Sequence, residues 1–293
     1  MIGVDQMRTV VKKILSLAAA IAVSGLCNAN AADLAARPAF KAPPLAAAYD
    51  WTGFYVGGNV GYGWGGNTDP RLSLVNPGDA GGITTFLTTG LPGFASGNAF
   101  PNLNPNGVFG GLQFGYDRQF GNWVLGAVTD IQAADFHAGR LVTTSAAATF
   151  ANVDESLSAK IDWFGTLRGK LGYAVNDWLL YGTGGLAYGR TRASIGFACT
   201  PGGTGCTDIN MTGTAAETRL GWSAGAGVSK AFGNWNVGLE YLHVDLGRSS
   251  VTALDQVGVF PSTTITQSQR FTVDTARLTL NYKFGSTLDR ATY

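Results

Sequence analysis

Ser156-Leu-Ser-Ala-Lys-Ile-Asp-Trp-Phe-Gly-Thr-Leu-Arg-Gly-Lys-Leu-Gly-Tyr-Ala-Val175 decides how this chain folds. Its odd positions include Leu157, Ala159, Ile161, Trp163, Leu167, Leu171, Tyr173 and Val175. Its even positions include Ser156, Ser158, Lys160, Asp162, Thr166, Arg168 and Lys170, with Phe164 among them. An α-helix repeats every 3.6 residues and cannot hold a period of two this long, whereas a strand sends successive side chains to opposite faces. The stretch reads as one long strand, with its odd face toward lipid and its even face inward.

The same alternation recurs at Val108–Gln119, Glu217–Val228 and Arg277–Phe284. Three tight turns followed by Trp punctuate it: Gly121-Asn122-Trp123, Asn176-Asp177-Trp178 and Gly233-Asn234-Trp235, spaced by 55 and 57 residues. Gly, Asn and Asp tolerate the positive φ that two-residue hairpin turns need. Variable Gly/Thr/Ser/Pro stretches near 65–105, 137–154, 193–215 and 248–269 read as long loops. Strands are expected at 51–64, 106–120, 123–136, 155–175, 178–192, 216–232, 235–247 and 270–284, with the alternation weakest in 123–136 and 178–192. The expected fold is all-β, an eight-stranded antiparallel up-and-down transmembrane β-barrel with long extracellular loops and short periplasmic turns. Its first and last strands must pair, because lipid offers no partner for an open edge.

Composition agrees with that reading. Charged residues are 13% of the chain against about 25% in soluble proteins, and 42 residues are Gly. Mean hydropathy is only +0.10, and no run beyond the first thirty residues reaches the ~20 apolar residues of a membrane helix. A net charge of +1 supplies no basic excess for nucleic acid.

The first residues read as an export signal over 1–31: basic Arg8, Lys12 and Lys13, apolar Ile14 to Leu26, and a small-residue site at Ala29-Asn30-Ala31. Met7 is an alternative start, and Leu26 before Cys27 argues against lipoprotein processing. Residues 32–49, with Pro38, Pro43 and Pro44, read as a periplasmic tether, 50–284 as the barrel and 285–293 as a tail. Cys199 and Cys206 enclose a turn-rich segment and, in an oxidising compartment, are expected to form a disulfide.

Trp51-Thr-Gly-Phe-Tyr-Val-Gly-Gly-Asn-Val-Gly-Tyr-Gly-Trp64 resembles the opening strand of the small outer-membrane β-barrel family of alphaproteobacteria. Gly238–Gly247 and Leu278–Phe284 resemble its seventh and last strands. The resemblance implies an OmpA-like, porin- or opacity-type surface protein of a Gram-negative outer membrane, linked to envelope integrity, with some relatives described as haem-binding or porin-like. The family's last strand usually ends the chain at Phe. Here Phe284 continues the alternation of Leu278, Leu280 and Tyr282, so it is the expected signal for the barrel-assembly machinery.

The polar face assigns Asp117, Asp130, Lys160, Asp162, Arg168, Lys170, Glu217, Arg219, Glu240, Arg277 and Lys283 to the lumen. Eight strands leave room for little beyond side chains, so these charges should pair into an ionic core; a gated polar pore is the alternative. Trp123, Trp178, Trp235, Tyr282 and Phe284, with Tyr116 and Tyr173, are expected as an aromatic girdle. Large apolar groups are expected outside rather than in the lumen.

Catalysis finds no support. His243 shares a face with Asp245, but no Ser lies at matching spacing. Gly57-Gly-Asn-Val-Gly61 lies in a strand with no following helix and so is no phosphate loop. His137 is the single haem candidate, and no cofactor or metal is expected. Three readings follow: a non-enzymatic barrel supporting the envelope and meeting the surroundings through external loops, a narrow channel for ions or small solutes, or a surface receptor or adhesin for haem or another extracellular ligand. Outer-membrane lipid, lipopolysaccharide and the assembly machinery are the expected partners, and nucleic acid is not.

Overall fold

The computed structural model describes residues 49–66, 71–75, 103–145, 152–199, 210–258 and 262–285. The export leader, the tether up to Ala48, Cys206 and the tail from residue 286 lie outside the described residues. The strands are β1 (Gly53–Gly65), β2 (Arg71–Val75), β3 (Asn106–Phe120), β4 (Trp123–Ser145), β5 (Asn152–Val175), β6 (Trp178–Cys199), β7 (Asn210–Phe232), β8 (Trp235–Asp255) and β9 (Thr264–Lys283). All but β2 form a ring of eight antiparallel strands, each paired with its chain neighbour, and β1 closes on β9 from Tyr55↔Lys283 to Gly65↔Val273. Beyond the end of β1, β2 continues the closure against Thr264–Ser268 of β9.

The three Trp-flanked turns are two-residue hairpins, joining Phe120↔Trp123, Val175↔Trp178 and Phe232↔Trp235. Their first residues, Gly121, Asn176 and Gly233, have φ of 60°, 55° and 60°, the left-handed conformation that a type II′ turn demands there. At the opposite end the strands run far past the expected boundaries. Most of the segments read as long loops at 137–154, 193–215 and 248–269 are strand, because β4 to β9 are 20 to 24 residues long. A membrane needs only about 9–11 residues per tilted strand, so their outer halves form a collar beyond the lipid.

Outward side chains mark where the lipid lies. Trp123, Trp178, Trp235, Phe54, Phe120, Phe232 and Phe284 are exposed at the hairpin end. A second belt, not expected from the sequence, comprises Tyr62, Trp64, Trp163, Tyr188, Trp222 and Tyr241. Ten residues separate the belts on β1 (Phe54 to Trp64), β5 (Tyr173 to Trp163), β6 (Trp178 to Tyr188) and β7 (Phe232 to Trp222). At about 3.3 Å per residue and a tilt of about 40° this is about 25 Å, the height of a barrel's apolar band.

One β-bulge corrects the reading of β5. The ladder shifts register at Ile161/Trp163, leaving Asp162 as the extra residue. Below it Thr166, Arg168 and Lys170 point inward as expected. Above it the chain is turned over: Leu157, Ala159 and Ile161 are buried inside, and Ser158 and Lys160 are outside. The sequence alternation continues unbroken because the surroundings invert at the same level. Within the membrane the apolar side must face lipid; in the collar it must face the core, away from water. A second bulge, at Asp245/Arg248 with Gly247 at φ 77°, reorients β8 in the same way. Cysteine labelling checks the bulge: Ser158→Cys should react with a membrane-impermeant maleimide on intact cells while Ala159→Cys should not, and the reverse pattern would mean an unbroken strand.

Candidate functional site

The interior is filled in layers, each built from inward positions of several strands. At the hairpin end Trp51, Val124, Ala174, Leu179 and Ala231 are buried together, with Tyr49 packed edge-on to Trp51 at 4.9 Å between ring centres. Burial, with the nearby Asp50 and Asp117 carboxylates, pushes the Tyr49 hydroxyl up to about 12. Trp51 is anchored by its backbone N–H, which donates to Gln119 Oε1 at 2.8 Å.

The ionic layer lies next. Arg168 on β5 donates to Asp130 of β4 (Nη2 to Oδ2, 2.8 Å) and to Glu240 of β8 (Nη1 to Oε1, 2.8 Å). Arg277 on β9 donates to the same two oxygens, at 3.0 and 2.6 Å. Thr166 donates to Asp130 Oδ1 at 2.8 Å and accepts from Arg168 Nε at 2.8 Å, while Tyr181 donates to Glu240 Oε2 at 2.9 Å. Both guanidinium groups are 1% exposed. Beside this quartet Lys170 bonds Asp117 at 2.6 Å and Tyr55 Oη at 3.2 Å, and lies 4.8 and 5.3 Å from the ring centres of Tyr55 and Tyr181. Gly126 makes space here, since a Cβ at that position would fall 1.9 Å from Asp117 Oδ1. Two arginines and a lysine face two aspartates and a glutamate, so the layer is neutral. An uncompensated charge in such a place costs several kcal/mol.

Amide side chains extend the layer: Gln113 Nε2 donates to Asn281 Oδ1 at 2.6 Å, and Asn281 Nδ2 to Asn236 Oδ1 at 2.8 Å. Above it lies an apolar core that the sequence reading excluded. Phe109, Phe136, Phe164, Leu242, Val244, Phe271 and Val273 are buried, and Leu157, Ile195, Phe197, Met211, Val251 and Ile265 continue the packing outward. The rings of Phe109, Phe136 and Phe164 lie 5.5 to 5.8 Å apart. Phe109, Phe164 and Leu242 stand level with the outer belt, and the core continues above it, where the wall's outside is water rather than lipid and large apolar groups belong inside.

Of the eleven residues assigned to the lumen, Asp117, Asp130, Arg168, Lys170, Glu240 and Arg277 meet in the ionic layer. Lys283 is buried apart from them, over the Tyr49 ring at 4.3 Å and bonded to the Asp50 carbonyl. Four others lie outside the packed interior, two of them turned outward and two on the inward side of β7 where the wall is open. The β5 bulge puts Lys160 and Asp162 outside, where Asp162 pairs with Arg192 at 2.6 Å and with Lys160 at 3.7 Å. Glu217 and Arg219 bond each other and are partly exposed, because the β7–β8 ladder is interrupted between Thr212 and Trp222. Arg219 donates there to the Arg248 carbonyl.

The girdle residues face outward at the hairpin end, with Trp123 against Tyr173 and Trp235 against Tyr282 at 5.3 and 5.1 Å. His137 is exposed on the outside of β4, 3.5 Å from the Asp135 carboxylate. His243 and Asp245 do not pair: His243 meets Asp274 at 2.7 Å, and Asp245 is held by Arg270 and Trp222. Cys199 ends β6, and its expected partner Cys206 is outside the described residues. Tyr55 and Tyr181 were not expected in the site, though each has the strand parity that places it there, and Thr166, expected inward, was not named as a partner of the charges.

Residues 19–284 match the outer membrane protein beta-barrel domain. The chain belongs to this outer-membrane β-barrel family. It is 31% identical over 271 residues to the 31 kDa outer-membrane immunogenic protein of Brucella melitensis biotype 1, covering 91% of this chain and 98% of that one. It is 32% identical over 140 residues to the 22 kDa outer membrane protein of Rhizobium leguminosarum bv. viciae, covering 47% and 52%. Among solved structures, OprG of Pseudomonas aeruginosa is 12% identical with a TM-score of 0.40, covering 80% of this chain and 98% of its own.

Within this outer-membrane barrel the ionic layer should set stability. Arg168→Met leaves two buried carboxylates short of a partner and should destabilise the barrel by about 3–5 kcal/mol, whereas Lys160→Met on the outer surface should change it by under about 1 kcal/mol. The temperature at which the compact band converts to the unfolded band in detergent gels reports both; equal midpoints for the two variants would contradict the assignment.

Proposed function

We propose that this outer-membrane protein is a non-enzymatic, non-conducting barrel that supports the envelope and presents its collar to the surroundings. The observation that carries the reading is the filled interior. The cavity beside the ionic layer, lined by Tyr55, Asp117, Arg168, Lys170, Tyr181 and Glu240 among others, has a volume of ≈ 20 Å³, room for about one water. The apolar core above it holds a gap of ≈ 10 Å³ among Phe136, Ile161, Phe164, Val244, Leu246, Phe271 and Val273. Hydrated ions crossing here would need both layers to rearrange together. The two aromatic belts suit a barrel fixed in depth against lipid and lipopolysaccharide, and an export leader at 1–31 with assembly through Phe284 fits that destination.

The Brucella relative carries the name of an immunogenic protein, and a collar standing above the membrane is the kind of surface that accords with such a name. Haem capture finds weaker support, since His137 has Asp135 as its neighbour and no second His beside it among the described residues. The purified protein in planar bilayers should give a flat current trace at moderate voltage in molar salt. Reproducible single-channel steps would favour the narrow-channel reading instead.

A further inference from the structure

Just above the outer aromatic belt, the β5–β6 wall carries an arrangement that the filled interior does not explain. Arg190 and Arg192 stand two residues apart on the outer face of β6, directly above belt residue Tyr188. Lys160 lies directly opposite Arg192, and Trp163 directly opposite Arg190. Cations facing each other across a ladder repel. Asp162, brought out by the bulge, offsets that repulsion by bonding Arg192 at 2.6 Å and approaching Lys160 at 3.7 Å; Asp135 lies 3.8 Å from Lys160 on the other side. Arg190 has no carboxylate partner among the described residues, and it is exposed.

Its height says what could meet it. Below it, the outward residues of β6 down to the hairpin belt are Leu180, Gly182, Gly184, Leu186 and Tyr188, without a charge. Arg190 is thus the first charged group that lipid meets on leaving the apolar band on this strand, at the level of lipid headgroups. A guanidinium offers planar paired donors that match a phosphate, and a nearby lysine adds a second positive charge. Trp163 and Tyr188, 6.2 Å apart between ring centres, form an apolar shelf beneath for the acyl or sugar portion.

We propose that Arg190, with Arg192 and Lys160 beside it, binds the phosphate of a phosphorylated glycolipid in the outer leaflet. The proposal rests on the envelope-supporting reading and names its lipid partner. It places the contact on one wall, β5–β6, rather than around the whole collar. On the β8–β9 wall Arg248 and Arg270 also face each other, and Arg270 is engaged by Asp245 as Arg192 is by Asp162. What the β5–β6 wall adds is Arg190, without a carboxylate partner among the described residues, beside Trp163 and Tyr188.

The test uses the full-length folded barrel in a zwitterionic detergent, with bis-phosphorylated lipid A as probe and retained lipid counted by native mass spectrometry. Wild type should retain lipid A, and R190Q/R192Q should bind it at least tenfold more weakly while keeping the wild-type heat-modifiable band. Arg118→Gln, exposed at the hairpin end over Phe120, should bind as wild type. Dephosphorylated lipid A should bind wild type as poorly as the double variant binds the phosphorylated lipid. Inorganic phosphate at the same concentration should not displace the lipid, because the shelf contributes to holding it. Undiminished binding by R190Q/R192Q, or equal binding of the dephosphorylated lipid, would overturn the site, as would complete displacement by inorganic phosphate. A barrel that conducts in planar bilayers yet shows the expected lipid pattern would overturn the non-conducting reading alone.

Discussion

A ring of eight strands encloses space for side chains and little else, so any charge turned inward must find its opposite there. That constraint organises this barrel. Asp130 and Glu240 are each shared by Arg168 and Arg277, and Lys170 takes Asp117. Glu240 lies opposite Arg277 on the β8–β9 ladder and Arg168 meets Asp130 on the neighbouring strands β5 and β4, but the other two bonds cross the interior: Arg168 and Glu240 are on β5 and β8, Arg277 and Asp130 on β9 and β4. Such links tie strands that never pair directly, and they leave no net charge to be hydrated. The layer can therefore be closed off from bulk water, capped by Trp51 on one side and the phenylalanine core on the other.

The wall obeys a second constraint, that its outside is lipid over one half and water over the other. Strands without a bulge must invert their apolar parity where they cross that boundary. On β6 Leu180 and Leu186 face lipid from even positions, while Ala193, Ile195 and Phe197 face the core from odd ones. This explains why β6 alternates poorly in sequence: two good patterns of opposite phase are joined end to end. On β4, where the ladder to β5 also shifts register between Ala133 and Phe136, the even positions stay inward and the outward Leu125 and Ile131 give way to the inward Phe136. β5 solves the problem with a bulge, so its sequence looks ideal and misleads about Lys160 and Asp162. Alternation names faces only relative to a solvent, and the solvent changes along these strands.

The topology was legible because the hairpin turns have a strict chemical signature and strand alternation is strong within the membrane. The quartet was legible as well, since Asp130, Arg168, Glu240 and Arg277 all sit in the membrane half, where polar means inward. Their partners were not. A pairing across the barrel depends on shear and register, which Asn122 or Asp177 in a tight turn does not reveal. The outer belt escaped notice for another reason. Trp163 and Trp222 lie mid-strand, and only the length of the strands beyond them shows that the membrane ends there; Trp64 stands at the end of β1.

The proposed function follows from the same two constraints. A neutral, packed interior suits a barrel whose work is done by its outer surface, in lipid and in the collar above it. The central claim is that the interior charges stabilise one another as a unit, and a double-mutant cycle on Glu240→Gln and Arg277→Met in reversible urea unfolding from lipid vesicles tests it most directly. The account predicts a coupling of about 2 kcal/mol or more, because either single change already breaks the shared pair. Additive losses from the two substitutions would contradict it and leave the lumen open to water.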